Sequence, residues 1–313
     1  MELFCLVFDL YCKALVFWCE LFWTKKDEES YLELSMVDKI ETYQSSVIQH
    51  GKQSDRVYLM KLKEDNYSSV ISYAEKLAQD NNYTKIVAKI PENLKNVFLS
   101  KGYKNEAFVE NFFSGEKNLH FMSKFFSKQR ELIQNKNELK NVQQKSILKI
   151  ENKFVSDSPN NFEIRKLENS DIKAMIEVYK KVFSTYPFPI FDVEYLRKTM
   201  EKNILYIGAF SVEKLVALAS AEMDFEHKNA EMTDFATLFE YRGNNLSFLL
   251  LKELEKEIKK IDIITCYATA RANSIPMNLT FSKSGYIFGG RLVNNTGICG
   301  NIETMNVWYK NLF

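Results

Sequence analysis

Between residues 231 and 259 the sequence passes from a strand to a long helix through a short polar loop, a junction that is either an ordinary turn of an αβ fold or an anion site. Glu231–Leu238 (EMTDFATL) reads as the end of a strand, and FEYRGNNLSFLLLKELEKEI follows it, with a helix from about Asn245 to Lys259. Arg242, Gly243, Asn244, Asn245, Leu246 and Ser247 place successive backbone N–H groups at the helix N-terminus. Such a terminus attracts an anion of the pyrophosphate type. Asn245 is a residue type that tolerates left-handed backbone better than most non-glycines.

The junction lies within a longer alternation of strands and helices. Phe162–Lys166 reads as a strand, and Glu168, Asn169, Ser170 and Asp171 open a helix with N-cap chemistry. YPFPIFD forces an extended break, and a helix near Val193–Met200 follows. Leu205–Phe210, Leu215–Asp224 and Ala230–Leu238 read as strands, the last two forming a hairpin through Phe225–Asn229. After the long helix come strand Ile263–Ala268, helix Ser274–Ser284 stopped by Gly285, and strands Tyr286–Leu292 and Thr304–Tyr309. The order is βααβββαβαββ.

A smaller αβ unit precedes it. RVYLMKL (Arg56–Leu62) alternates like a strand, Asp65–Asp80 carries apolar residues at helical spacing, and KIVAKI (Lys85–Ile90) is a short strand of buried type. Pro91 starts a helix that Gly102 ends, and Ala107–Phe113 and Leu119–Phe125 close the unit. The order strand, helix, Lys-x-Gly-Tyr or Lys-Ser-Gly-Tyr, two strands occurs in both units, at FLSKGY (Phe98–Tyr103) and FSKSGY (Phe281–Tyr286). The first unit is therefore read as a degenerate copy of the second. After its first strand it has Lys63, Glu64, Asp65 and Asn66, acidic and without Arg-Gly, so it is not expected to hold a pyrophosphate. Packing, homodimer formation or covering the substrate site are the roles left to it.

These units set the expected divisions of the 313-residue chain: an apolar extension over 1–35, an αβ domain over 36–127, a linker over 128–160 and a larger domain over 161–313. The linker is rich in Lys, Asn and Gln and is expected to carry one exposed helix. In the extension, Asp9, Lys13 and Glu20 interrupt the apolar run, which argues against a membrane span. Neither a basic n-region nor a cleavage site marks it as a secretory signal. Its Cys5, Cys12 and Cys19 recur every seven residues and would share a helical face. With 42 basic and 41 acidic side chains the net charge is +1, so no global attraction for nucleic acid or anionic membrane is expected. Five cysteines without a CxxC pair and three histidines argue against a disulfide scaffold and a metal site. The expectation is a reduced, cytoplasmic protein.

The element order, with the strand–loop–helix junction at Arg242–Ser247, resembles the GNAT superfamily of acyl-CoA-dependent N-acetyltransferases over roughly residues 160–311. That implies an α/β (α+β) fold, with a mixed and mostly antiparallel central sheet flanked by helices. Asn245 and Ser247 stand where the superfamily's phosphate loop usually has glycine and glycine or alanine. SAEMDFEHKNAEMTDFATL, TYPFPIFDVEYLRKTM, RANSIPMNLTFSKSGY, NNTGICGNIETMNVWYK and IQHGKQSDRVYLMKL also resemble the β-lysine N-acetyltransferase family, over about residues 36–311. The resemblance implies acetyl transfer from acetyl-CoA to the 6-amino group of β-lysine (3,6-diaminohexanoate). The product would be the compatible solute N6-acetyl-β-lysine, made after a lysine 2,3-aminomutase.

The same resemblance assigns candidate roles. Glu231 is expected as general base, with Asp234 and Glu222 as alternatives that could instead hold the substrate ammonium groups. On a straight strand Glu231 and Asp234 would face opposite sides. Backbone N–H groups of Phe235, Ala236, Thr237 and Leu238 would meet the oxyanion. Asn273 is expected on the pantetheine arm, with Asn278 competing for that role. Phe281 occupies the position where many GNATs carry a tyrosine that reprotonates the thiolate; either the thiolate leaves unprotonated, as its pKa of about 8.5 nearly permits, or another group such as Tyr267 or Cys266 serves, and no acid is assigned. Arg271, then Arg291, are the candidate carboxylate clamps, and Tyr186, Phe188 and Phe191 the wall of the acceptor pocket.

Overall fold

The computed structural model describes residues 38–133, 135–148 and 161–313. The expected extension over residues 1–35, with its cysteine stripe, and the linker residues 149–160 lie outside the described residues. The first half supplies β1 (Lys39–Tyr43), β2 (Ser46–Gly51), β3 (Arg56–Lys61), helix α1 (Tyr67–Asp80), β4 (Lys85–Pro91), short helix α2 (Lys95–Ser100), β5 (Lys104–Phe113) and β6 (Lys117–Phe125). Helices α3 (Lys128–Glu131) and α4 (Lys136–Leu148) follow. The second half supplies β7 (Glu163–Lys166), α5 (Ile172–Val182), α6 (Val193–Lys202), β8 (Ile204–Ser211), β9 (Lys214–Asp224), β10 (Asn229–Thr237), α7 (Leu246–Lys259), β11 (Thr265–Arg271), α8 (Ile275–Lys283), β12 (Ile287–Ile298) and β13 (Asn301–Asn311). No helix among the described residues is long and apolar enough to cross a membrane.

Local chemistry explains these elements. Val70, Ile71, Ala74 and Ala78 form the buried stripe of α1, and Leu246, Leu250, Leu251, Leu254 and Ile258 that of α7. Each large apolar side chain so buried contributes about 1.5–3 kcal/mol. Asp171 and Glu168 form a reciprocal capping box ahead of α5, and the Asp192 carboxylate accepts from the Tyr195 N–H at the start of α6. Gly102 and Gly285 end α2 and α8 at φ +82° and +83°, a conformation that Cβ-bearing residues resist.

All the described strands join one sheet in the order β1-β2-β3-β4-β6-β5-β12-β13-β11-β10-β9-β8-β7. Only β3/β4 and β10/β11 pair in parallel; every other described pair is antiparallel. The series β3-α1-β4-α2-β5-β6 thus recurs as β10-α7-β11-α8-β12-β13, and the two series meet where Ala107 of β5 pairs with Gly290 of β12. A Cβ on Gly290 would stand 2.5 Å from the Ala107 Cα, so the junction needs glycine.

The sheet is strongly curled. In a flat sheet β4 and β11, five steps apart in the order, would be separated by about 24 Å. Yet Lys89 Nζ on β4 lies 3.1 Å from the Tyr267 hydroxyl on β11. Lys61 Nζ on β3 likewise reaches Glu226 in the β9–β10 turn at 2.7 Å. Strand alternation then sorts the side chains. Val57, Leu59, Ile86, Ala88 and Ile90 pack beneath α1, while Arg56, Tyr58 and Lys89 face the hollow of the curl.

Three features depart from the sequence reading. β1 and β2 were unexpected: the edge strand β1 is largely exposed and β2 buries Gln49 and His50, so neither shows apolar alternation. β12 and β13 extend further than expected. Cys299 (φ +51°) and Gly300 (φ +76°) form a tight two-residue turn between them, so an Asn- and Gly-rich stretch that resembles loop is paired strand. The segment after residue 127 carries two helices, and Leu139 and Val142 of the longer one are buried. Arg130 in α3 is buried too, and hydrogen-bonds Ser54 O and Asn294 O while pairing with Asp55. Burial draws its guanidinium down to about 10.

Candidate active site

A cavity of about 580 Å3 occupies the hollow of the sheet and is lined from both halves. Its acidic side is built by β9 and β10. Glu231 accepts hydrogen bonds from the Tyr267 hydroxyl (2.7 Å) and the Thr269 hydroxyl (3.0 Å) of β11. Glu222 stands directly opposite Glu231 in the β9–β10 register. Burial, then the charge of Glu231, push the Glu222 carboxyl up to about 7. Asp234 accepts from Tyr186 (2.6 Å), Ser220 (2.7 Å) and Thr233 (3.2 Å). Burial raises its pKa despite those donors.

Glu231 and Asp234 both line this cavity, although a straight strand would separate them. The reason is a bulge. The β9–β10 register slips between Thr233 and Ala236, and Asp234 takes φ +56°, which re-aims its side chain. Tyr186 and Phe188, in the extended break between α5 and α6, also line the cavity. Phe191 packs against the second-half core instead.

The strands open beside these acids. β10 and β11 pair only from Asn229↔Thr265 to Glu231↔Tyr267, although β10 continues to Thr237 and β11 to Arg271. Beyond Glu231 the facing backbone edges are therefore free of each other, which makes a slot for an extended ligand arm. On its other edge, Ala236 and Thr237 pair with β9 and the Leu238 N–H donates to Val216 O. Leu238 thus cannot offer that donor to an oxyanion, whereas Phe235 stands half-buried at the bulge, its ring edge-on to Phe281.

At the end of the slot lies the loop before α7. Gly243 (φ +88°) and Asn245 (φ +57°) are left-handed, so Asn245 supplies the conformation that glycine would. Among the described residues none accepts from the N–H groups of Gly243, Asn244, Asn245, Leu246 or Ser247. Gly243 has open space around it. Arg242 is exposed, its Nε 3.4 Å from Thr237 O. These unpaired donors and the adjacent guanidinium fit a pyrophosphate.

Several expected residues serve elsewhere. Asn278 is fully buried: it donates to Arg271 O and Ser274 O and accepts from Asn306 and Trp308. With both donors and both lone pairs used, it has nothing left for a pantetheine arm. Asn273 is exposed and donates to Glu303. Phe281 is core, edge-on to Phe235 and Tyr286. Cys266 is fully buried on the other face of β11, in the second-half core. Neither Arg271 nor Arg291 lines the cavity. Arg291 instead bonds Asn306, Leu139 O and Gln143, holding α4 in place.

Besides Lys202 at the end of α6, the cavity is lined by cations from the first half that the sequence reading does not include. Arg56, 3% exposed, donates to Asn295 O (2.9 Å), Thr296 (3.0 Å) and Gln49 (3.4 Å). Lys89 donates to the Tyr267 hydroxyl at 3.1 Å. Charged residues inside the buried-type runs RVYLMKL and KIVAKI were the available signal, but only the curl brings them to Glu231. At the rim, Asp224, Glu226 and His227 gather within 4.8 Å, and Lys61 Nζ, 2.7 Å from Glu226 and 3.5 Å from Asp224, already supplies a cation there.

No protein-family model matches the chain. It is 39% identical over 280 residues to the β-lysine N(6)-acetyltransferase of Methanococcus maripaludis, covering 88% of this chain and 99% of that protein. The β-lysine N(6)-acetyltransferase of Methanosarcina mazei is 31% identical over 266 residues, covering 79% and 98%. Among solved structures, the ribosomal-protein-S18-alanine N-acetyltransferase of Escherichia coli aligns over 48% of this chain and 94% of that one, at 16% identity and a TM-score of 0.42.

Proposed function

Because the chain belongs to the β-lysine N6-acetyltransferase family, we propose that it transfers the acetyl group of acetyl-CoA to the 6-amino group of β-lysine. The observation that carries the reading is that Glu222, Glu231 and Asp234 line one cavity beside the β10–β11 slot. A substrate with two ammonium groups needs such an acidic lining, and a thioester arm needs the slot.

A primary ammonium with pKa near 10.4 costs about 4 kcal/mol to deprotonate at pH 7.4. Glu231 takes that proton, directly or through a water. The neutral amine attacks the acetyl carbonyl carbon, the C–S bond breaks as the amide forms, and the nitrogen's second proton passes to the departing thiolate or to water. The leaving thiolate, with an ordinary thiol pKa of about 8.5, departs with little need of an acid, which agrees with phenylalanine at position 281. Asp234 and Glu222 hold substrate ammonium charge, and the loop Arg242–Ser247 holds the pyrophosphate. The product has lost the charge of its terminal amine, which suits a compatible solute in a cytoplasmic setting, formed after a lysine 2,3-aminomutase. Expected partners are this small molecule and acetyl-CoA, with no metal, nucleic acid or membrane.

The test is CoA release from acetyl-CoA with β-lysine, lysine and a panel of lysine-containing peptides. Turnover should be highest with β-lysine. Faster turnover of the peptides would replace this reading with protein acetylation, and binding of acetyl-CoA without turnover would replace it with a CoA-sensing module.

A further inference from the structure

We propose that Arg56 and Lys89, both from the first half, bind the carboxylate of the acceptor substrate and so set its specificity. The proposal rests on the β-lysine reading and adds to it the group that reads the acid end of the molecule.

Buried cations elsewhere, in the first half and in the α3 helix that follows it, are paired with carboxylates. Lys85 lies 2.7 Å from Glu106, and Arg130 lies 3.2 Å from Asp55. Arg56 and Lys89 differ. Arg56 contacts two neutral side chains and a carbonyl, and its buried Nε has no partner. Lys89 touches the Tyr267 hydroxyl and lies over the Tyr58 and Tyr267 rings at 5.7 and 5.5 Å. Neither forms an ion pair among the described residues, although Glu222, Glu231 and Asp234 line the same cavity. Buried charges are normally paired. Here Lys89 meets Glu231 only through the Tyr267 hydroxyl that both bond, at 3.1 and 2.7 Å, and Arg56 touches no carboxylate. Both cations are thus open to a further anion, and a zwitterion supplies one: its carboxylate goes to Arg56 and Lys89, its ammonium groups to Glu222, Glu231 and Asp234.

The repeat explains the arrangement. Arg56↔Lys85 begins the β3/β4 pairing as Asn229↔Thr265 begins β10/β11. In that correspondence Tyr58 takes the place of Glu231, and Lys89 that of Thr269. The face that carries acid–base chemistry in the second half thus carries cations and an aromatic ring in the first. The curl of the sheet turns the two faces toward one another.

The experiment compares kcat/KM for β-lysine with that for 1,4-diaminopentane, the same chain with hydrogen in place of the carboxylate group. The parent should prefer β-lysine. Arg56→Gln and Lys89→Gln should each reduce that preference roughly 10–100-fold, the range for a lost charge-assisted hydrogen bond. Arg56→Lys should restore part of it, and the KM for acetyl-CoA should stay at the parent value. A merely structural role would lower both rates together and leave their ratio intact, which overturns the proposal. So would an unchanged ratio in Lys89→Gln, the variant with fewer contacts to lose. A parent that uses both amines equally overturns the proposal but leaves acetyl transfer standing. A parent that acetylates neither overturns the β-lysine reading and this proposal with it.

Discussion

At Glu231 the question is where one proton goes. Glu231→Gln keeps the side-chain shape and one acceptor oxygen, and either the Tyr267 or the Thr269 hydroxyl must turn to accept from the new amide N–H, but basicity is removed. The rate at neutral pH should fall roughly 10²–10⁴-fold, with part of the loss returning at high pH, where more amine is already neutral. A pH–rate profile equal to the parent's in height and shape would move the base to Glu222 or Asp234. Glu222 makes a separate prediction about stability. Its folded pKa is about 7 against an ordinary 4.5. Between those values the folded state retains a proton that the unfolded chain has released, so rising pH removes stability, by at most about 3 kcal/mol. Urea midpoints measured from pH 4.5 to 8 should fall for the parent and flatten for Glu222→Gln. An identical slope in that variant would show that Glu222 does not carry the titration. Glu231 was readable in the sequence because it lies at a fixed distance before Arg242 on a recognisable strand. That Glu231 and Asp234 line one cavity was not readable, since alternation assumes a straight strand and one left-handed residue at Asp234 undoes it.

Among the elements, the α7 loop is the proposed cofactor site and α8 belongs to the core. Arg242→Glu sets a negative charge beside the proposed pyrophosphate site and should weaken acetyl-CoA binding by at least about 1–2 kcal/mol. The matching reversal Lys63→Glu, in a first half without the Arg-Gly loop, should leave it unchanged. Calorimetry with equal affinity for Arg242→Glu and parent would remove the loop from the site. Asn278 is the opposite case. Asn278→Ala strands the buried Trp308 Nε1–H and the Asn306 amide, each unsatisfied group costing about 1–3 kcal/mol. Its thermal midpoint should drop by several degrees with the KM for acetyl-CoA unchanged, whereas a raised KM with a parental midpoint would return Asn278 to the ligand. Caps, glycine stops and apolar spacing made most of these elements legible from local sequence. Side-chain roles such as those of Asn278, Phe281 and Arg291 were not, because helical position says which face a residue occupies and not what already fills its hydrogen bonds.

On the scale of the whole molecule, the expected division into two domains meets a single curled sheet. Residues 38–313 form one compact unit. One apolar cluster draws Val87, Val109, Phe112 and Phe121 from the first half and Tyr267, Leu292, Val307 and Tyr309 from the second. No sequence pattern announces that curl, since it depends on contacts as distant in the chain as Lys89 with Tyr267 and Arg56 with Asn295. Cutting between the halves would expose this shared cluster, bare the β12 edge to non-native pairing and remove Arg56 and Lys89 from the cavity. A chain starting at Met36 should therefore unfold in one cooperative transition, with calorimetric and van't Hoff enthalpies in agreement. A fragment starting at residue 161 should be poorly soluble and inactive on β-lysine. Two resolved calorimetric transitions, or a soluble 161–313 fragment that acetylates β-lysine at the parental rate, would show that the second half folds and works alone. The first half would then be an accessory rather than a wall of the active site.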